Sequence, residues 1–205
     1  MSSHDLSTLA PGFDHEAFGS QQVFRAALHA IAHPGRPTDM PMGAAAPQSG
    51  NMAAAVLLLG LLDSDNRLWL SASLAHSDAA GWLRFHTGCT LVDAPSEADF
   101  CWCAQGDVWP DFSTLSLGSD DWPERSATCV LEVDHFQTEG TGWCLHGPGI
   151  NGTQHLCVKG LPRSFEEQWR RNQVLFPRGV DIFLATATQI AGLPRTTQLT
   201  LAQEV

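Results

Sequence analysis

Four groups of residues in this 205-residue chain have types and spacings that could do chemistry. Gly147, Gly149 and Gly152, within "LHGPGINGTQHLCVKGLP" (145–162), stand in the G-x-G-x-x-G register of a dinucleotide-binding turn. Cys101-x-Cys103 offers two thiolates, and His86, His146 and His155 three imidazoles, to a metal. Lys159 is the one lysine among 11 basic residues, so any Schiff base would have to form there. Finally, Arg84 and His86 in "LRFHT", and Arg195, Thr196 and Thr197 in "LPRTT", combine guanidinium, imidazole and hydroxyl donors suited to an anion.

Each group also has a plain structural reading. A dinucleotide turn needs a helix opening at its last glycine, so that the helix N-terminus faces pyrophosphate. The residues after Gly152, "TQHLCVKG", alternate with period two and end at "GLP". They predict a strand, and the glycines a β-hairpin connection. Cys101-x-Cys103 lacks the second pair that zinc sites use, and core packing accounts for it better. The histidine spacing gives no ligand set, and no metal is expected. Lys159 reads as a solvated strand position. For the arginines, a ligand cradle competes with an Arg–carboxylate pair, easily found among 22 acidic residues, and the weight falls on structure.

The elements that position these groups follow from periodicity. "SQQVFRAALHAIA" (20–32) predicts a helix with Ser20 as N-cap, an apolar stripe of Val23, Phe24, Ala27, Leu28 and Ile31, and a stop at "HPG". "MAAAVLLLGLL" (52–62) reads as a buried helix. "RLWLSAS" predicts a strand, "HSDAAGWLRFHTG" a helix ended by Gly88, and "TLVDA" and "ADFCWCAQ" strands, the last with Cys101 and Cys103 on one face. Residues 105–126 show no period and predict a long loop or short helical turns. "ATCVLEVDHF" and "TGWCLHG" predict strands. "RSFEEQWRRNQVLF" predicts a helix with a Ser164–Glu167 capping box, closed by Pro177. "GVDIFLAT" is an apolar strand and "LPRTTQLTL" a last extended segment. The mixture predicts an α/β fold: one domain over 18–205, a mixed sheet flanked by helices, after an N-terminal arm at 1–17.

The formal net charge of −11 disfavours nucleic acid and anionic membrane as partners, and no basic cluster offsets it. The longest apolar run is too short to span a bilayer, where about 20 residues are needed. With no secretory pattern at the N-terminus, six cysteines predict free thiols in a cytoplasmic protein.

Six ordered stretches together resemble the H subunit family (PhnH) of the bacterial carbon–phosphorus (C–P) lyase, the phosphonate-degradation system. They are "FRAALHAIAHPG" (24–35), "LRFHTG" (83–88), "LHGPGI" (145–150), "GLP" (160–162), "FPRGVDIFLAT" (176–186) and "GLPRTT" (192–197). The resemblance covers about residues 18 to 200; the arm and the 105–126 loop match less well. It implies a fold similar to the large domain of type I pyridoxal-phosphate (PLP) transferases, without that cofactor. It further implies a homodimer that joins the G, I and J subunits in the core complex. With G, I and the L protein, such a subunit supports attack of a phosphonate on the ribose C1 of ATP. Adenine leaves, and ribose 1-phosphonate 5-triphosphate remains for radical cleavage on J. The resemblance assigns no catalytic residue. If the subunit touches phosphonate or ATP, Arg84, His86, Arg195, Thr196 and Thr197 are the expected contacts; if it is a scaffold, they belong to an interface.

Overall fold

The structure is a computed structural model that describes residues 10–41, 44–137 and 142–201. Its centre is a seven-stranded sheet built from short apolar strands. In chain order these are β2 (Thr38–Asp39), β4 (Arg67–Leu70), β5 (Thr90–Leu91), β6 (Phe100–Cys103), β7 (Thr128–Glu132), β11 (Asp181–Ala185) and β12 (Gln189–Leu193). The spatial order is β2-β12-β11-β7-β6-β4-β5. The five strands from β5 to β11 run parallel, β12 runs antiparallel to β11, and β2 pairs antiparallel with β12. The predicted α/β class with a mixed sheet is what the chain adopts.

Strand periodicity sends alternate side chains to two cores. Trp102, Val130, Phe183 and Ile190 face a layer made by α1 (Glu16–Ala32), α2 (Met52–Leu61) and α4 (Asp78–Thr87). Cys101, Cys103, Cys129, Leu131, Ile182 and Leu184 face the other way. There they meet α5 (Phe165–Val174) and a four-stranded antiparallel sheet. That sheet, in the order β13-β9-β10-β8, is formed by β8 (His135–Gln137), β9 (Trp143–His146), β10 (Gln154–Lys159) and β13 (Gln198–Leu201). The small pieces β1 (Gly12–Phe13), β3 (Ala44–Ala45) and α3 (Ala72–Ala75) complete the ordered elements. The helix α2 is buried through Ala53–Leu59, which explains its uniformly apolar sequence. No helix among the described residues is long and apolar enough to cross a membrane.

Several local expectations need correction. α1 begins at Glu16, with His15 rather than Ser20 at its cap, because the Gly19 amide already bonds the His15 carbonyl at 2.8 Å. Its buried face is Val23, Ala27 and Ala30, whereas Phe24 and Leu28 are 50% and 54% exposed. The helix closes on its neighbours through its small residues. A Cβ on Gly192 would lie 2.5 Å from the Ala30 carbonyl, so the larger side chains are turned outward. The Ser164 capping box does not form: Ser164 makes no cap bond and its hydroxyl accepts from Gln168 Nε2 at 3.1 Å. "RLWLSAS" divides after Leu70, where Ser71 precedes α3. "ATCVLEVDHF" divides into β7 and β8, which belong to different sheets, and β12 was hidden in the small residues of "TQIAGL". Residues 105–126, by contrast, hold short helical turns as expected, at Phe112–Thr114 and Pro123–Arg125.

A carboxylate sits where three of these pieces join. Glu132, 6% exposed at the end of the middle strand, accepts from Asn51 N (2.7 Å), Trp102 Nε1 (3.0 Å) and Gln105 N (3.2 Å). Asn51 in turn caps α2 through the Ala54 amide and reaches the Ala185 carbonyl. Nearer the surface, Asp78 accepts from the amides of Gln48 (2.6 Å) and Ser49 (3.1 Å), tying α4 to the loop before α2. Burial pushes the Asp78 carboxyl up, but these bonds outweigh it and hold the group below the ordinary carboxylate range.

Glu132→Ala should destabilise the protein by about 3 kcal/mol or more in urea unfolding, since three donors lose their acceptor. A carboxyl held low in the native state stabilises above its unfolded value, near pH ~3.9, and that contribution disappears as pH falls through the native value. Asp78→Asn should therefore lower the Tm at pH 7 and flatten the loss of stability below about pH 4. Of the six cysteines five are buried, so Ellman's reagent should titrate Cys144 alone in native protein and all six in denaturant.

Candidate functional site

Four glycine- and proline-bearing segments meet at one end of the molecule. They are the end of α1 through Gly35, the connection between β9 and β10, the chain after α5, and the chain after β12. The Gly35 amide bonds the Gly192 carbonyl at 3.0 Å. Gly147 (φ 138°) and Gly149 (φ 82°) have backbones open only to glycine. They also have no space for a side chain: a Cβ on Gly147 would be 2.8 Å from the Thr196 carbonyl, and one on Gly149 would collide with that of Ala32. The apparent dinucleotide fingerprint is thus a hairpin connection. β9 and β10 pair antiparallel, with His155 opposite Cys144, and no helix follows Gly152.

Arg195 fastens this junction. Its side chain is 12% exposed and forms an ion pair with Asp181, Nε to Oδ1 at 3.1 Å and Nη2 to Oδ2 at 2.5 Å. The Arg195 amide also donates to Asp181 Oδ1 at 2.7 Å. Nη1 donates to the carbonyls of Pro123 (2.8 Å) and Pro177 (3.2 Å), and Nη2 to Ser126 Oγ. A guanidinium has five N–H donors, and all five find acceptors inside the chain. One side chain therefore holds β11, the 105–126 loop and the turn after α5 to the end of β12.

The two threonines next to it behave differently. Thr196, Arg195, Pro148, Gln173, Phe176 and Gln198 line an open cavity of about 330 Å³. Thr197 is buried; its carbonyl accepts from Trp169 Nε1 at 2.9 Å and from Gln173 Nε2, while its hydroxyl has no partner. Phe176 and Val174, 61% and 81% exposed, stand at the end of α5.

Arg84 and His86 lie elsewhere. Both are on α4, in the helical layer over the β4–β5 edge. Four strand positions separate β4 from β12, roughly 19 Å at the usual spacing. His86 Nε2 is 2.9 Å from the Ala10 carbonyl, which fixes its proton on that nitrogen, and Trp82 Nε1 donates to the same oxygen. Arg84 is exposed and, among the described residues, without a side-chain acceptor. The structure brings Arg195, Thr196 and Thr197 together and leaves Arg84 and His86 apart from them. His146 Nδ1 meets the Gly152 carbonyl and His155 Nδ1 the Cys144 sulfur at 3.6 Å. Among the described residues no three His, Cys, Asp or Glu side chains form a metal-binding group. Cys101 and Cys129 are register partners in the core. Their mutual hydrogen bond, then burial, pushes the Cys129 thiol well up, and burial does the same to Cys103.

Two residues that matter here escaped the sequence reading. Asp181, partner of Arg195, carried a signal: a lone acid opening the apolar strand "DIFLA". Glu132 carried a similar one, an acid between Leu131 and Val133. Arg195→Lys should cost about 2–3 kcal/mol in denaturant unfolding, because one ammonium cannot serve acceptors placed for a planar fork.

The family model for the bacterial phosphonate metabolism protein PhnH matches residues 11–200. A Rhizobium meliloti (strain 1021) protein named as the PhnH subunit of alpha-D-ribose 1-methylphosphonate 5-triphosphate synthase is 36% identical over 187 residues, covering 91% of this chain and 93% of its own. A Stutzerimonas stutzeri protein named as a candidate C–P lyase subunit, HtxG, is 34% identical over 181 residues, covering 88% and 86%. The segments that meet around Arg195 fall within the residues that the family model matches, and the chain belongs to the PhnH family of bacterial phosphonate metabolism proteins.

Proposed function

We propose that this chain is a required but non-catalytic subunit of the C–P lyase core complex. In that reading it supports, with subunits G, I and L, the formation of ribose 1-phosphonate 5-triphosphate from ATP and a phosphonate. The observation that carries the reading is Arg195. The guanidinium best placed for an anion has every donor engaged within the chain, so its work is to hold three segments in register. The relatives' names, each with the word subunit, support the same view. Exposed Val174 and Phe176 beside the rigid junction offer an apolar surface for a neighbouring subunit such as I or J.

We further read the protein as a cytoplasmic homodimer that joins through α1, where Phe18, Phe24 and Leu28 are more than half or about half exposed on the solvent side. The seven-stranded sheet we take as the counterpart of the large domain of type I PLP transferases, used without the cofactor. The one lysine, Lys159, is exposed at the end of β10 and supports that. An absorbance band appearing on mixing with PLP would overturn it.

A second reading, direct binding of phosphonate or ATP at Arg195, Thr196 and Thr197, without Arg84 and His86, has one observation in its favour. The Thr197 hydroxyl is buried and unpartnered beneath the cavity that Thr196 borders. Titrating methylphosphonate and ATP against Arg195→Ala tests it; unchanged affinity and intact complex activity would end it.

The purified protein alone should release no adenine from ATP and methylphosphonate, and adding it to the G, I and L proteins should allow release. Turnover by the isolated chain would overturn the scaffold reading. Val174→Glu/Phe176→Glu should abolish adenine release by the complex with little change in Tm. Phe24→Glu/Leu28→Glu should shift the mass by light scattering from dimer to monomer.

A further inference from the structure

The chain carries 11 basic residues, all within the described segments, and they divide into two kinds. Arg67, Arg171, Arg178 and Arg195 pair with carboxylates, Arg36 bonds Gln154, and Arg125 lies over the Trp122 ring. Among the described residues Arg25, Arg84, Lys159, Arg163 and Arg170 have no side-chain acceptor or ring contact. In a chain with twice as many acids as bases, an unpaired cation has an easy supply of partners. Three of the five unpaired cations stand around one hollow.

That hollow lies between α5 and the inner side of the four-stranded sheet. One cavity of about 300 Å³ is lined by Lys159 and Arg163, with Leu156 and Phe165 beneath. A second, about 270 Å³, is lined by Arg170 and Leu199. Trp143, Glu166 and Leu201 line both, so the two are continuous. Together they reach the size of a small-molecule site. Among the described residues Glu166 is the one carboxylate in the lining, and its Oε1 is taken by Trp143 Nε1 at 2.7 Å. The nearby Asp134, behind Gly160, accepts from Gln105 Nε2. Three free cations against one engaged carboxylate make this hollow positive on an acidic protein, and its floor is aromatic and aliphatic.

We propose that this hollow is a binding site for a small polyanion with an uncharged organic body, of the oligophosphate class. Lys159 and the two arginines grip the anionic groups, and arginine suits phosphate oxygens by its paired donors. The Trp143, Leu156 and Leu199 surfaces receive the uncharged part. The cations come from the end of β10, the loop before α5 and the second turn of α5. They surround a compact ligand, whereas a row along the edge strand β13 would track an extended acidic peptide. The site is separate from the Arg195 junction, and no residue of the earlier anion set belongs to it.

Isothermal titration of the full chain at low ionic strength, with inorganic tripolyphosphate, ATP, adenosine and an oligoglutamate peptide, tests the assignment. Tripolyphosphate and ATP should bind one to one, more weakly as salt rises, and adenosine should not bind. Lys159→Gln/Arg163→Gln/Arg170→Gln, all at exposed positions, should weaken both by about tenfold or more, with Tm as the control for folding. Arg25→Gln, removing an exposed cation of α1 on the opposite layer, should leave both unchanged. Tighter ATP than tripolyphosphate supports the proposal; equal affinities would overturn the role given to the organic body. No binding of either, binding insensitive to the triple substitution, or binding of the peptide alone would overturn it. Adenine release by the reconstituted complex judges the subunit reading separately, so the two can fail independently.

Discussion

A buried carboxylate sets the terms for the rest of this structure. Glu132 ends the middle strand almost out of reach of water, and a charge in that position is tolerable only with donors around it. The Asn51 amide, the Trp102 indole and the Gln105 amide provide them. Those donors come from the cap of α2, from β6 and from the start of the 105–126 loop. The requirement that one carboxylate be satisfied thus fixes where the helical layer meets the sheet and where the loop departs. Asn51 extends the same network to β11 through the Ala185 carbonyl and to the first turn of α2.

Much of this architecture was legible in the residues. α2, α4 with Gly88 at its end, the alternation of Cys101 and Cys103, the β9–β10 hairpin and the α/β class all follow from periodicity and turn chemistry. The failures have a common cause. Ser20 and Ser164 looked like caps by type and spacing, yet capping depends on backbone angles that neighbouring segments impose. The outward turn of Phe24 and Leu28 likewise reflects how closely α1 approaches Gly192, a tertiary fact with no local signature. β12 was missed because small residues chosen for close packing carry little strand signal.

The candidate site was legible in part, and for an instructive reason. Arg195, Thr196 and Thr197 were singled out for donor chemistry, and they do share a neighbourhood. What one sequence could not give was the identity of the acceptors. Two of Arg195's are main-chain carbonyls 72 and 18 residues away, and no side-chain type marks such a partner. Arg84 and His86 shared the same donor chemistry but sit in another layer, because proximity depends on strand order rather than composition. The glycine register of 147–152 shows a complementary ambiguity, which the strand period after Gly152 resolved correctly: glycines required for close approach of two backbones spell the same letters as glycines required for a pyrophosphate.

The grip of Arg195 on carbonyl oxygens has an evolutionary consequence. A main-chain oxygen is present whatever side chain accompanies it, so the Pro123 anchor survives most substitutions in the 105–126 loop. Only a change in the path of the backbone would break it. The loop can accumulate differences in residue type, including its acids and its exposed Trp122, while its return to the sheet stays fixed. A segment free to vary in sequence yet held in position is a natural place for related complexes to diverge in what they recognise.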